Sequence, residues 1–244
     1  MIAIEVVGGP GGSISPGETD ALAIRLAQQG ITVVRIGYTG TRHRSIFPEP
    51  DFRPATHEIA RYTGEVRRLN PHAKIVLVGE SLGGLIAAQV MVDMQSDTVD
   101  ELELVLPSFY SPTQALSNFK TKMGVSPSND SLIATWQLYE TSDLLKSGSY
   151  HMIQTLNFLG HFFAPEDRTI SLATLFKRLT HVSTNIFFRE ADVRTGPQLA
   201  SHLAQFKNIN LVRLKGEEHN ISGYDGRYIA GLIMRTIRDS KPDR

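Results

Sequence analysis

Residues 73–84 read Ala73-Lys74-Ile75-Val76-Leu77-Val78-Gly79-Glu80-Ser81-Leu82-Gly83-Gly84, an apolar run that ends in Gly-x-Ser-x-Gly. The β-branched residues before Gly79 are typical of a buried parallel strand, and the mostly apolar residues 85–92 are typical of a helix. A tight strand-to-helix turn exposes a serine side chain, and flanking glycines give the backbone room to make that turn. The stretch therefore predicts a nucleophile elbow in which Ser81 is the nucleophile.

The rest of the chain alternates strand-like and helix-like segments. Strands are expected at residues 2–7, 31–36, 102–106, 184–189 and 210–214, besides the strand before Ser81. Helices are expected at residues 21–29, 55–69 and 228–238, besides the helix after Ser81, and Ser15-Pro16 is typical of a helix start. This alternation predicts an α/β fold, with a mostly parallel sheet and helices on both of its faces.

The strand rhythm stops between residues 112 and 179, which predicts a helical cap or lid inserted into an α/β core formed by residues 1–111 and 180–244. Three aromatic residues of this insertion, Trp136, Phe158 and Phe162, are candidates for lining an acyl pocket. The alternative is that these aromatic side chains form a small core of the insertion itself.

A serine nucleophile needs a base, which in an open α/β sheet lies on a loop after the carboxyl end of a strand. His219 fits this requirement because it follows the predicted strand at residues 210–214 and precedes the C-terminal helix. It is one of eight histidines, and His181 is the second candidate for the base.

The imidazole in turn needs a carboxylate that fixes its tautomer and stabilises the imidazolium. Asp192 follows the predicted strand at residues 184–189, and Glu190 competes with it for this role. Strand alternation places both carboxylates on one side of the sheet, but Asp192 lies deeper in the loop and is the preferred acid. An Asx turn is the structural alternative for Asp192. The chain order Ser81, Asp192, His219 is characteristic of one lineage of catalytic triads.

A glycine-rich run, Val7-Gly8-Gly9-Pro10-Gly11-Gly12-Ser13, follows the first predicted strand. Such a run lets backbone amides approach a substrate oxygen, so the amides of Gly9 and Leu82 are the expected oxyanion donors. Gly8 and Pro10 are expected to line the substrate site beside them. A phosphate-binding loop is less consistent with this run, because it lacks a Gly-Lys-Ser/Thr ending and Pro10 has no amide hydrogen.

These residues resemble the α/β-hydrolase fold family. Gly79-Glu80-Ser81-Leu82-Gly83-Gly84 resembles the family's elbow, and Asp192 and His219 match its acid and base positions. The resemblance covers nearly the whole chain except the insertion, and it implies an α/β-hydrolase fold without the family's first two strands.

Two subfamilies are similar in detail. The run Val7-Gly8-Gly9-Pro10-Gly11-Gly12 is similar to the His-Gly-Gly-Pro-Gly-Gly oxyanion loop of proline iminopeptidase relatives, with Val7 at the usual histidine position. The residues that start at Tyr38 are similar to that family's loop after its next strand, which makes Tyr38 a substrate-binding candidate. The short start and the overall length are similar to type II thioesterases of carrier-protein pathways, which usually have a Gly-His-Ser-Met-Gly elbow instead.

Composition limits the remaining possibilities. The chain has 244 residues, a formal net charge of +0 and no cysteine, so disulfides, thiolate metal sites and a cysteine nucleophile are excluded. Because Lys and Arg form no long stripe and no apolar run approaches a membrane span, we expect neither a nucleic-acid partner nor a transmembrane segment. The N-terminus lacks the basic region of a signal peptide, which favours a cytoplasmic location. The sequence does not indicate the oligomeric state.

The expected activity is that of a serine hydrolase acting on a small-molecule ester or thioester, free or bound to a carrier protein. Ser81 would attack, His219 would accept its proton, Asp192 would orient His219, and the amides of Leu82 and Gly9 would hold the oxyanion. No metal or organic cofactor is implied. Three alternatives stay open: an acyltransferase or cyclase with the same triad, a peptidase, and a non-catalytic ligand receptor on the same scaffold.

Overall fold

The computed structural model describes residues 1–6, 21–36, 53–94, 97–107, 172–192, 203–216 and 223–239. The strands in these ranges are β1 (Ile2–Val6), β2 (Thr32–Ile36), β3 (Ile75–Glu80), β4 (Glu101–Val105), β5 (Ser183–Phe188) and β6 (Ile209–Arg213). The helices are α1 (Ala21–Gln28), α2 (Arg53–Leu69), α3 (Leu82–Met94), α4 (Leu172–Arg178) and α5 (Gly223–Asp239), and a 3-10 turn, Leu179–His181, precedes β5.

The six strands form one parallel sheet in the order β2-β1-β3-β4-β5-β6. All carboxyl ends therefore lie at one edge of the sheet. The chain passes from β1 outward to β2 and then crosses back to β3 on the other side of β1. Ligands of open α/β sheets bind at such a reversal of strand order, outside the carboxyl ends of the strands.

Helices cover both faces of the sheet, as the alternation of the sequence predicts. Ile2, Ile4 and Val6 of β1 point to the face covered by α2, α3 and α4, where they belong to the larger apolar core. Ala3 and Val78 point to the opposite face, where they pack with residues of α1 and α5. Burial of both faces explains why these strands are near-continuous apolar runs.

The observed strands agree with the predicted strands to within one residue at each described end. Two helices are longer than predicted at their start: α2 begins at Arg53 instead of residue 55, and α5 begins at Gly223 instead of residue 228. The predicted helix start at Ser15-Pro16 lies outside the described residues.

The last part of the predicted insertion packs in the main core. Leu175, Phe176 and Leu179 are buried in the apolar cluster that includes α3. This end of the predicted insertion therefore packs against the sheet core through those three side chains, while residues 112–171 lie outside the described residues. In the part of the chain that the structure describes, no helix has the length and apolar character that a membrane crossing requires.

Candidate active site

Ser81 occupies a one-residue turn between a strand and a helix. β3 ends at Glu80, α3 begins at Leu82, and Ser81 between them has φ +52°. A residue with a Cβ is rare in this left-handed region, and such strain persists only where the surroundings enforce it. The turn leaves the serine half-buried, directly after the carboxyl end of a buried strand. This is the geometry of a nucleophile elbow.

Two glycines allow α3 to pack against the end of β3. A Cβ at Gly79 would lie 2.6 Å from the carbonyl oxygen of Gly83 and 2.8 Å from Cβ of Ala87. A Cβ at Gly84 would lie 2.8 Å from Cβ of Pro107. Any side chain at either position would push the helix away from the sheet and change the turn that holds Ser81. The need for glycine at position 79 follows from the motif, whereas the contact between Gly84 and Pro107 has no signal in the sequence.

Backbone hydrogen bonds join the carboxyl ends of four adjacent strands. The Ser81 amide donates to the carbonyl oxygen of Val105 at 3.0 Å, which connects the elbow to β4. The Leu106 amide donates to Phe187 and the Leu214 amide donates to Phe188, each at 2.8 Å. These hydrogen bonds fix the positions of the elbow, the end of β5 and the end of β6 relative to one another.

The two candidate acids differ in their surroundings. Asp192 is buried, with 3% of its surface exposed, and its amide donates to the Arg189 carbonyl oxygen at 3.2 Å. Glu190 is exposed and forms an ion pair with Arg213 at 2.7 Å. The prediction that strand alternation places both carboxylates on one side does not apply to them, because β5 ends at Phe188 before either residue.

The structure separates some of the histidines from the candidate site. His181 and His72 are exposed and precede β5 and β3, so both lie at the amino edge of the sheet, opposite Ser81. His57 is exposed on α2. His219, the predicted base, lies outside the described residues, between the end of β6 and the start of α5.

Of the two predicted oxyanion donors, one lies in the described part of the chain. Leu82 is the first residue of α3, and the first amides of a helix have no partner within the helix. Gly9, Gly8 and Pro10 lie outside the described residues. The strand that precedes them in sequence, β1, ends beside β3, because Val6 is the register partner of Gly79. Tyr38, Trp136, Phe158 and Phe162 also lie outside the described residues.

Solved structures with the same architecture are numerous. The chain aligns with Est1E from Butyrivibrio proteoclasticus, solved with ferulic acid bound, over 97% of this chain and 89% of that chain, with a TM-score of 0.67 and 17% identity. A lipase-esterase related protein from Clostridium acetobutylicum ATCC 824 aligns over 96% of this chain and 93% of that chain, with a TM-score of 0.64 and 13% identity. A bromoperoxidase from Bacillus anthracis aligns over 97% and 91%, with a TM-score of 0.61 and 14% identity.

The chain has the α/β-hydrolase fold. No family model matches this sequence, and a search among curated proteins finds no match. The likeness to the solved structures is therefore one of fold, and the chemistry has to be argued from the residues at the edge of this α/β-hydrolase sheet.

Sequence reasoning missed a buried ion pair that involves the residue directly after β5. Arg189, at the end of β5, and Asp225, in the first turn of α5, are both buried and lie 2.5 Å apart. The sequence signal that could have indicated this pair is the charge of Arg189, because an arginine directly after five buried strand residues needs a buried partner.

A row of mostly polar residues runs across the sheet on the face covered by α1 and α5. Register places Arg35, Glu5, Val78, Glu103, Asn185 and Asn210 in one row across all six strands. Glu103 is fully buried, and the Asn185 side-chain amide donates to it at 2.9 Å. Burial raises the pKa of Glu103 well above the ordinary value of 4.5, against the smaller opposite effect of that hydrogen bond, and nearby Glu101 adds to the rise.

No group of three or more potential metal ligands occurs among the residues that the structure describes. The polar residues at the carboxyl edge include Ser81, the buried Asp192 and the buried Arg189–Asp225 pair. Such a set can perform nucleophilic chemistry once a base is added to it.

Proposed function

We propose that this chain is a serine hydrolase that cleaves a carboxylic ester or thioester through an acyl-enzyme intermediate. The observation that carries the proposal is the strained turn at Ser81, with φ +52°, between a buried strand and a glycine-packed helix. A serine that serves only as a turn residue needs neither the strain nor the close packing, and such strain concentrates at functional sites.

The reaction would follow from the order of the groups along the sheet edge. Ser81 Oγ attacks the carbonyl carbon while His219 accepts its proton, and the amides of Leu82 and Gly9 hold the oxyanion. The carbonyl re-forms, the leaving alcohol or thiol takes the proton from His219, and the acyl group stays on Ser81. His219 then activates water, which releases the carboxylic acid and restores the serine.

The environment of Asp192 supports its role as the acid of this triad. A buried carboxylate at the end of β5 can face the loop that follows β6, since the two strands are neighbours. Glu190 already has an exposed cationic partner in Arg213. The burial of Asp192 therefore agrees with the requirement for a carboxylate that is shielded from water.

The activities for which two of the structural neighbours are named favour the ester class. One relative is described as lipase-esterase related, and Est1E was solved with ferulic acid, a carboxylic acid, bound to it. Because identity is below one fifth in both cases, these names support a reaction class and leave the acyl group open.

The experiment that tests the proposal is a panel of aryl esters, acyl thioesters and aminoacyl anilides, run with wild type, Ser81→Ala and Ser183→Ala. Ser183 is a matched control because it is exposed at the amino edge of the same sheet. We expect turnover of an ester or thioester by wild type and Ser183→Ala, and loss of it in Ser81→Ala. Activity of Ser81→Ala above a few per cent of wild type would refute the nucleophile, and cleavage of anilides alone would refute the ester class.

A further inference from the structure

The guanidinium of Arg189 holds two segments that are distant in sequence. Its Nη2 donates to Asp225 Oδ2 at 2.5 Å, and its Nε donates to the carbonyl oxygen of Lys215 at 2.9 Å. The side chains of Arg189 and Asp225 are only 4% and 10% exposed, so both charges are largely removed from water.

These two acceptors lie on either side of the segment that contains the predicted base. Lys215 comes just after β6, and Asp225 lies in the first turn of α5. His219 lies between them in the sequence. Arg189 directly follows β5 and begins the turn that ends at Asp192, because its carbonyl oxygen accepts a hydrogen bond from the Asp192 amide. Arg189 is therefore hydrogen-bonded to the turn that contains Asp192 and to residues on both sides, in sequence, of the segment that contains His219.

Arg189, Asp225 and the backbone at Lys215 form a hydrogen-bonded cluster whose geometry is closely constrained. The carboxylate of Asp225 is favoured by its place in the first turn of a helix, and it gives the buried guanidinium its countercharge. Gly216 has φ +93°, and a Cβ there would lie 3.7 Å from Nε of Arg189, so the chain turns in a left-handed conformation over the guanidinium. Buried ion pairs add little net stability compared with apolar residues, so stability alone is a weak explanation for this pair.

We propose that Arg189 is a positioning residue, which with Asp225 holds the His219 segment in register with Asp192. This inference rests on the proposed function, since it assigns Arg189 a role in aligning that triad. Arg189 touches neither the substrate nor the reacting atoms in this account. It acts by limiting where the imidazole can lie, and a misplacement of about 1 Å in such a group can cost about 100-fold in rate.

The test compares Asp225→Asn and Arg189→Lys with Arg213→Met. Asp225→Asn removes the countercharge at nearly constant shape, and Arg189→Lys keeps a charge but cannot form the same fork of donors. Arg213→Met is the matched control, because it removes an arginine whose carboxylate partner is exposed. Each variant is also made in the Asp192→Asn background, and hydrogen exchange is measured for peptides that cover residues 217–222.

We expect Asp225→Asn to lower kcat on a small activated ester about 10- to 100-fold with KM within about twofold of wild type. Arg189→Lys should lose less, and Arg213→Met should match wild type. In the Asp192→Asn background the loss caused by Asp225→Asn should nearly vanish, because there is no longer an acid with which to align the base. Exchange at residues 217–222 should become faster in Asp225→Asn, since the segment loses one of its two anchors.

Two results would overturn the proposal. One is an equal loss from Asp225→Asn with and without Asp192, which would indicate a general structural effect. The other is unchanged exchange at residues 217–222 in both Asp225→Asn and Arg189→Lys. If wild type shows no serine-dependent turnover, the proposed function fails separately, and the exchange experiment alone then decides whether Arg189 anchors the segment.

Discussion

Two acidic residues that are two positions apart in sequence, Glu190 and Asp192, have opposite surroundings, and this contrast is testable at the scale of single residues. Asp192→Asn should lower kcat by about 1,000-fold or more, because an amide favours the wrong imidazole tautomer. Glu190→Gln should remain near wild type, because it breaks only an exposed ion pair with Arg213. Steady-state kinetics on one activated ester measure both variants, and the reverse ranking would transfer the acid role to Glu190.

A second residue-scale prediction concerns Glu103 and the dependence of stability on pH. Burial raises the pKa of Glu103 in the folded protein, so above pH 4.5 the unfolded chain loses a proton that the folded protein retains. The free energy of unfolding therefore falls as pH rises from that value towards the raised pKa. Glu103→Gln cannot ionise, and its oxygen can keep the hydrogen bond from Asn185.

Urea unfolding of wild type and Glu103→Gln between pH 4 and pH 8 measures this effect. The difference in unfolding free energy, variant minus wild type, should increase with pH. Glu65→Gln is the control, since Glu65 is exposed and Arg68 lowers its pKa instead. A difference for Glu103→Gln that is constant or decreases with pH would show that Glu103 is ionised in the folded protein at neutral pH.

At the scale of elements, the junction of β3 and α3 depends on the absence of a side chain at Gly79. Gly79→Ala should destabilise the protein by about 1–3 kcal/mol and reduce reaction at Ser81, because the added methyl must displace the backbone of α3. Gly64→Ala should instead stabilise the protein by about 0.5–1 kcal/mol, since Gly64 lies inside α2 with nothing within 4 Å of an added Cβ.

Thermal unfolding and the rate of ester turnover together test this pair. The account requires Gly79→Ala to lose both stability and rate, and Gly64→Ala to lose neither. Wild-type behaviour of Gly79→Ala would mean that the packing of α3 against β3 does not constrain the turn at Ser81.

The strands and helices whose bounds were predicted well are those that depend mainly on the local sequence. The buried parallel strands are apolar runs bounded by turn residues, and α1 ends where Gly30 has φ +80°, a conformation that glycine adopts without strain. The start of α5 was placed late because its first turn, with Gly223 and Gly226, has low helix propensity. Docking near Arg189 stabilises that turn, and this tertiary contact has no sequence pattern.

The same distinction applies to the candidate site. Ser81 is a candidate because its motif is contiguous, and Asp192 is preferred to Glu190 because of its place in the loop; both roles stay predictions. The pairing of Arg189 with Asp225 spans 36 residues, and the contact of Gly84 with Pro107 depends on the sheet order. Long-range contacts of this kind are set by how strands are arranged, which no local spacing specifies.

At the scale of the whole molecule, the division into core and cap predicts different roles for aromatic residues of the segment 112–179. Phe176 is 1% exposed in the core, so Phe176→Ala should lower the free energy of unfolding by about 3–5 kcal/mol. Trp136→Ala, Phe158→Ala and Phe162→Ala should instead change acyl chain-length preference, because a long acyl group gains about 25 cal/mol per Å² of apolar contact.

A series of esters of increasing acyl length, together with melting temperatures, separates these roles. Trp136→Ala, Phe158→Ala and Phe162→Ala should each turn over an acetyl ester at nearly the wild-type rate, while their turnover of long-chain esters falls. An equal loss on all esters with a lower melting temperature would show that these aromatic residues form a structural core.

The central claim is that the strained turn after β3 presents an activated serine, and reaction with a fluorophosphonate probe tests it most directly. Only a serine beside a base and oxyanion donors reacts with such a probe at a useful rate. Mass spectrometry of the digested wild-type protein should find the label on Ser81 alone, and folded Ser81→Ala should remain unlabelled. Labelling at another residue, or none in a folded wild-type protein, would contradict the account.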